Sequence, residues 1–190
     1  MDIVFSHETA LQLYAQLKVQ GNEDVCKQRT SKDFRAPYSA CSDGVYEEKL
    51  QFLKSAYGIA LAQPTHEMLR NNPRTRTQDM RVFHQFNSTL PKDSLIDLGQ
   101  NIYCVMPALA ICLLSRKQTS LHQIVLANLL MATYGHLPNG DLCELSSPLI
   151  TRIEMLSVLN ALDSYSPGLR STQRNMRYFF SDAASPMELK

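Results

Sequence analysis

Two groups of arginines are the residues whose type and spacing most clearly predict chemistry. Arg170, Arg174 and Arg177 follow one another at the spacing that brings side chains to one face of a helix. Because a guanidinium donates parallel hydrogen bonds to phosphate oxygens, such a row can lie along a nucleic-acid backbone. The same row can be the solvated face of an amphipathic helix, and the sequence leaves both interpretations open.

The second group consists of Arg70, Arg74, Arg76 and Arg81, which flank a turn predicted at Asn72-Pro73. Loops carry a large share of the binding residues of proteins, and arginine suits phosphate. We expect double-stranded DNA to be the ligand of both groups, with a solvated loop as the alternative for this one. Any contact with DNA must be local, because the formal net charge of the chain is only +1.

Two histidines lie beside apolar residues, His7 at the start of a predicted helix and His84 in a predicted strand. Imidazole titrates near neutral pH and is a common acid or base in catalysis. Neither histidine has a sequence neighbour that makes a catalytic triad plausible. We therefore expect hydrogen-bonded structural histidines and assign them no catalysis.

The sequence lacks the patterns of cofactor and metal sites. Its five cysteines lie far apart and none belongs to a Cys-x-x-Cys pair, so neither a zinc site nor a disulfide framework is predicted. The seven glycines form no phosphate-binding loop, which argues against nucleotide-driven chemistry. We expect no cofactor and no metal in this chain.

Composition predicts a globular protein, with 44% hydrophobic and 19% charged residues. No segment near the start has the pattern of a secretory signal. The longest apolar run, 102–114, is interrupted by Pro107 and is shorter than the ~20 residues that cross a bilayer. We therefore expect no membrane partner. We also expect a cytoplasmic protein, because scattered free cysteines suit a reducing compartment.

The elements that must position the arginines change in type near residue 107. Before it, alternating apolar residues predict strands, including a hairpin of 95–98 and 102–106, whereas after it the apolar spacing is helical. The predicted fold class is α+β, a small antiparallel sheet with an N-terminal helix followed by a mainly helical C-terminal half. Residues 21–44 are polar and aperiodic, which predicts a loop or insertion.

Helix starts are predicted by capping residues. Ser120 with Gln123, and Thr151 with Glu154, have the spacing of a capping box, in which two side chains satisfy backbone N–H groups reciprocally. Residues 65–69 are the weakest strand candidate, because polar side chains dominate them.

The order of several segments carries a family resemblance. Phe5-Ser6-His7-Glu8-Thr9-Ala10-Leu11 resembles the opening of AbiEi-type abortive-infection antitoxins and related transcriptional regulators. Later segments resemble, in order, that family's histidine-bearing strand, Leu-Pro link, hairpin and buried helix: Val82-Phe83-His84, Leu90-Pro91, 94–105 and 107–114. The resemblance covers most of the chain apart from the insertion.

The end of the chain carries a second resemblance. Ser185 and Glu188 have capping-box spacing, but a helix this short is not stable, so we expect the natural chain to continue beyond Lys190; the alternative is a frayed tail. Residues 174–190 resemble the junction at which AbiEi-like regions are fused to a very-short-patch-repair-like endonuclease domain of the PD-(D/E)xK type. That domain begins at about Ser185.

These resemblances imply an antitoxin-like mixed α/β region over 1–106, a helical region over 107–181, and the start of a truncated nuclease-like domain at 185–190. They also make Glu188 a candidate metal-site carboxylate, with Mg²⁺ as a possible ion of the full-length protein. The alternative for this chain is that Glu188 only caps the start of a helix. The later Asp and Glu-x-Lys of the nuclease family are missing from this sequence, so no complete catalytic site is expected.

We therefore expect this chain to be a non-catalytic N-terminal recognition module of a nuclease-related or antitoxin-related protein that contacts DNA. One alternative is a protein–protein interaction module that binds a toxin partner or its own downstream domain through an apolar surface. A third alternative makes the chain a hydrolase by itself.

Overall fold

One six-stranded mixed sheet, one two-stranded sheet and seven α-helices are found in the part of the chain that the structure describes, which confirms the predicted α+β class. The structure is a computed structural model. It describes residues 1–70, 76–78, 80–131, 134–136, 142–144, 148–162 and 168–179, with the backbone alone for the three three-residue segments. The chain divides into two compact units, Met1–Met106 and Pro107–Lys190.

The first unit contains the six-stranded sheet and three helices. Its elements are β1 (Ile3–Phe5), α1 (His7–Val19), α2 (Glu23–Cys26), α3 (Asp43–Tyr57), β2 (Thr65–Leu69), β3 (Arg76–Gln78), β4 (Arg81–Gln85), β5 (Leu95–Asp97) and β6 (Ile102–Val105). The strands lie in the order β3-β4-β2-β1-β6-β5.

The sheet is mixed, so the prediction of an antiparallel sheet was wrong in this respect. β1 runs parallel to β6, and β2 runs parallel to β4, while the other neighbours are antiparallel. The hairpin of β5 and β6 confirms the local prediction. Parallel neighbours require long crossovers rather than tight turns, and only the tight turns leave a short-range signal in the sequence.

Strand β2 lies near the centre of the sheet although its sequence is polar. Thr65 is buried and its hydroxyl lies 2.5 Å from the Tyr46 hydroxyl of α3. Glu67, which is 2% exposed, accepts two hydrogen bonds from Arg81 on β4. A polar strand can therefore occupy this position, because its buried groups have partners within the unit.

Segment 21–44 lies along the edge strand β5. The amide of Thr30 donates to the carbonyl of Leu95, the amide of Asp97 donates to Gln28, and Phe34 pairs with Leu90 in both directions. These hydrogen bonds satisfy backbone groups that an edge strand otherwise leaves open to other chains. The segment also contains the short helix α2.

The connection between β5 and β6 is held by a buried lysine. Gln100 and Asn101 adopt left-handed backbone angles with φ of 51° and 57°. The ammonium group of Lys49 in α3, which is buried, donates to the carbonyls of both residues. This charge-assisted contact joins α3 to the hairpin.

The second unit is mainly helical, and the structure describes no helix in either unit that is long and apolar enough to cross a membrane. Its elements are α4 (Pro107–Leu114), α5 (Ser120–Met131), β7 (Tyr134–His136), β8 (Leu142–Glu144), α6 (Arg152–Ala161), α7 (Leu169–Asn175) and a 3-10 turn over Met176–Tyr178. Every residue of α4 is buried, and this helix contacts α5, α6 and α7. It is the core helix that its near-continuous apolar sequence predicts.

The capping predictions had different outcomes. Thr151 and Glu154 form the predicted capping box at the start of α6. At α5 the prediction was wrong, because the hydroxyl that accepts from a first-turn amide belongs to Thr119, and the amide is that of His122. The Gln123 side chain is buried and bonds to other helices instead.

Gly168 is the tightest backbone approach in the described part of the second unit. It precedes α7 with a φ of 77°, and a Cβ atom built on it would lie 1.7 Å from the carbonyl oxygen of Cys112. The hydroxyl of Ser115 donates to the carbonyls of both Cys112 and Gly168. Only glycine fits here, because both the backbone angle and the space exclude a side chain.

We predict that Gly168→Ala lowers the free energy of unfolding by at least ~3 kcal/mol, because it combines backbone strain with a backbone clash. Gly44→Ala is the matched control, since a Cβ atom at Gly44 in α3 meets nothing within 4 Å. The control should leave stability unchanged or raise it slightly. Urea unfolding followed by circular dichroism measures both, and equal stability of the two variants would contradict the packing described for Gly168.

Candidate nucleic-acid interface and histidine cluster

The arginine ridge, which we define as Arg170, Arg174 and Arg177, lies on the solvent-facing side of α7 and the 3-10 turn that follows it. All three side chains belong to exposed residues. The opposite side of the same stretch is buried and consists of Leu169, Thr172, Asn175, Met176 and Phe179. The three arginines therefore share the exposed side of this stretch, whereas Met176 and Phe179 face inward.

A buried polar network holds the ridge in position. The Gln123 side chain of α5 donates to the Thr172 hydroxyl at 2.6 Å and accepts from the Asn175 amide at 2.6 Å. The Thr172 hydroxyl in turn donates to the Gly168 carbonyl at 3.1 Å. Because each polar group has a partner, burial of the network orients α7 on α5 without an unsatisfied donor.

The ridge arginines make no ion pair with the carboxylates that the structure describes. The Arg177 guanidinium lies 4.6 Å from the centre of the Tyr178 ring, and Tyr178 is itself partly exposed. Exposed guanidiniums next to an aromatic ring are suited to a polyanion.

The second predicted arginine group is not brought together in the described structure. The Arg70 guanidinium lies 4.6 Å from the Tyr38 ring, and its backbone amide donates to Pro37. Arg74 lies outside the described residues, and only the backbone of Arg76 is described, as part of β3. Arg81 is buried, so its side chain faces other residues of the first unit rather than a ligand.

The Arg81 side chain is held by other residues of the first unit. Its guanidinium makes a two-point contact with Glu67 at 2.7 and 2.9 Å and donates to the Cys41 carbonyl at 3.0 Å. The rings of Tyr46 and Phe83 lie 4.2 and 5.0 Å from its central carbon. Arg81, which is 5% exposed, therefore does not line a phosphate-binding surface.

The pKa of Arg81 is shifted in the direction expected for a guanidinium paired with a carboxylate. Burial opposes the charged guanidinium, but the hydrogen bonds and negative charge of Glu67 outweigh burial and raise the pKa of Arg81. Burial in turn raises the pKa of the Tyr46 phenol, with partial compensation from its hydrogen bond to Thr65. The Arg81 charge is thus permanent and internally neutralised.

Three histidines form a cluster that the sequence did not predict. His7 of α1 stacks on His84 of β4 with ring centres 3.6 Å apart. The His66 ring of β2 lies beside His84 with ring centres 5.1 Å apart, and its Nδ1 lies 2.8 Å from Nε2 of His84. The sequence indicated only His7 and His84, because the parallel pairing of β2 and β4 that adds His66 is a long-range feature.

The surroundings of this histidine cluster are polar. The Ser6 hydroxyl lies 2.9 Å from Nδ1 of His7, and both residues are buried. A carboxylate oxygen of Glu8, which is 54% exposed, lies 3.4 Å from Nδ1 of His66. His7 itself has a φ of 51°, an uncommon backbone angle for a residue with a side chain.

No described group of three or more histidine, cysteine, aspartate or glutamate side chains has the arrangement that holds a metal ion. Glu188, the predicted metal-site carboxylate, lies outside the described residues, as does all of 185–190. Among the cysteines, burial raises the pKa of Cys112 to about 12, so that thiol is not a nucleophile at neutral pH.

No protein-family model matches the chain, and no curated protein or solved structure matches it.

We predict that Arg81→Met destabilises the protein by ~3–5 kcal/mol, because it leaves the Glu67 carboxylate buried without its partner. Replacing both residues, as Arg81→Met with Glu67→Leu, should cost less than the single Arg81 change. A double-mutant cycle of urea unfolding measures the difference. Losses that simply add would show that the two side chains do not act as a pair.

Proposed function

We propose that this chain is a non-catalytic recognition module that binds double-stranded DNA through the arginine ridge. The observation that carries the proposal is that three exposed arginines line α7 and the 3-10 turn after it, while the opposite side of this stretch is buried. Because buried packing already holds the backbone of this stretch, binding needs to order only the arginine side chains.

Other exposed cations of the second unit add to the positive charge of the ridge. They include Arg116, Lys117 and Arg152. Contacts to phosphate neutralise charge and release counterions without reading base sequence. The proposed binding is therefore electrostatic and falls steeply as salt rises.

The resemblance to AbiEi-type regulators is independent support from sequence. In the longer protein that this resemblance implies, the module brings a phosphodiester to a nuclease-like domain that begins at about Ser185. Mg²⁺ belongs to that domain in the proposal, with Glu188 among its carboxylates. The described residues of this chain are proposed to bind DNA and not to cleave it.

We predict that replacing Arg170, Arg174 and Arg177 with glutamine weakens binding to a fluorescently labelled duplex by at least ~10-fold in low salt. The slope of log affinity against log salt should become shallower by ~2–3, since each lost phosphate contact removes about 0.9. Fluorescence anisotropy over a salt series measures both quantities.

The matched control replaces three other exposed cations of the same unit, Arg116, Lys117 and Arg152, with glutamine. This control removes the same charge and should reduce affinity far less, because those residues lie on other elements. Equal losses in the two triple variants would contradict a specific role for the ridge. Unchanged binding in the ridge variant would remove it altogether.

A second candidate function, a protein-interaction module, is favoured by one observation. Leu121, Val125 and Leu129 are 67, 46 and 47% exposed and recur at four-residue intervals along α5. Exposed apolar rows of this kind often mark protein interfaces. If the duplex does not bind in low salt while the separately produced downstream domain does, this second function is the correct one.

A further inference from the structure

A groove lies in the first unit between α3 and the segment that follows this helix, residues 59–61. Its volume is about 190 Å³. The apolar part of its lining consists of the buried Leu53 and Ile59 and the half-buried Leu50 and Leu61. Sites for cofactors and other small molecules usually occupy ~300–1,000 Å³, so this groove suits a single apolar side chain rather than a cofactor.

The wall opposite α3 is an extended segment that two glutamines of α1 hold in place. The Gln16 side chain donates to the Ala60 carbonyl at 2.9 Å and accepts from the Ala60 amide at 3.0 Å. One turn earlier, the Gln12 side chain accepts from the Ala62 amide at 3.1 Å. The two glutamine side chains therefore pair with one edge of the segment in the way that a neighbouring strand would.

The backbone of Leu61 is open. In an extended segment, successive residues direct their N–H and C=O groups to opposite sides, so those of Leu61 point away from the two glutamines. Neither group makes a hydrogen bond to any residue in the part of the chain that the structure describes. An open donor and acceptor on one residue are the groups with which an added strand pairs.

The α3 side of the groove carries one charge of each sign. Glu47 and Lys54 both line it and both are exposed. Neither side chain forms an ion pair within the described residues. Their positions along the helix lie ~10 Å apart at a rise of ~1.5 Å per residue, which an extended chain covers in about three residues. An extended ligand that carries both charges is therefore complementary to this surface.

We propose that this groove binds an extended peptide segment of a partner protein, with an apolar side chain between one basic and one acidic side chain. The apolar side chain enters the groove, the peptide backbone pairs with Leu61, and the two charged side chains lie next to Glu47 and Lys54. In this mode of binding, main-chain hydrogen bonds give affinity and alternate side chains give specificity. The groove belongs to the first unit, so the proposal does not depend on DNA binding by the arginine ridge.

NMR titration of the isotope-labelled full chain with three blocked pentapeptides tests the proposal. All three have leucine at the centre and alanine on either side of it. Their outer residues are one arginine and one glutamate, two arginines, or two glutamates. The peptide with one charge of each sign should bind at least ~5-fold more tightly than the others, because each of these brings like charges together. The largest shifts should fall on the amides of Leu61 and residues 47–54.

Charge reversal on α3 should change which peptide binds best. Glu47→Lys should favour the peptide with two glutamates, and Lys54→Glu should favour the peptide with two arginines. The matched control is Glu48→Lys, at an exposed position beside Glu47 that does not line the groove. This control should keep the preference of the wild-type chain. A preference that is the same in all three variants would overturn the proposal.

Pairing with the backbone of Leu61 has its own test. Methylation of every amide nitrogen between the two charged residues of the best peptide removes its donors and should weaken binding by at least ~3-fold. Equal binding of the methylated peptide would overturn strand pairing.

Three further outcomes would also overturn the proposal. One is that none of the peptides binds at concentrations up to ~5 mM, where even weak complexes form. Another is that acetyl-leucine-amide binds as tightly as the best peptide, which would assign the groove to a small apolar ligand. The third is that the Leu61 amide shifts with protein concentration in the absence of peptide, which would assign the groove to a second copy of this chain.

Discussion

The buried ion pair between Arg81 and Glu67 is the constraint on which the first unit depends. It places two charges inside the sheet, between parallel strands. Removing these charges from water is unfavourable, and further contacts to the pair offset that cost. The Cys41 carbonyl and the Tyr46 ring contact the same guanidinium, so the segment before α3 and the helix itself are bound to the sheet through one side chain. A polar strand thereby becomes a central strand.

The second unit solves a similar problem without a buried charge. The neutral side chains of Gln123, Thr172 and Asn175 form a network that joins α5 to α7, and Gly168 lets the chain approach α4 closely. Burying neutral side chains costs less desolvation energy than burying an ion pair, and their hydrogen bonds still fix the orientation of α7 on α5. Thr172 and Asn175 lie on the buried side of α7, and Arg170 and Arg174 lie on its exposed side. In both units, buried polar groups are paired with one another and join neighbouring elements.

Sequence reasoning predicted the features that depend on neighbouring residues. The α+β class, the β5–β6 hairpin, the buried helix α4, the Thr151–Glu154 box and the helical face of the ridge all follow from spacing over a few residues. Features that depend on distant pairing were missed. The parallel strands made the sheet mixed, added His66 to the histidine cluster and buried Arg81, which by composition alone resembles the other arginines of its group.

The central claim, that the arginine ridge is the surface that meets DNA, is tested most directly by NMR chemical-shift mapping of the isotope-labelled chain on addition of an unlabelled duplex. The account predicts that the largest perturbations fall on residues 168–178 and weaken together as salt is added. Perturbations confined to the first unit or to the apolar face of α5, or none in low salt, would contradict it.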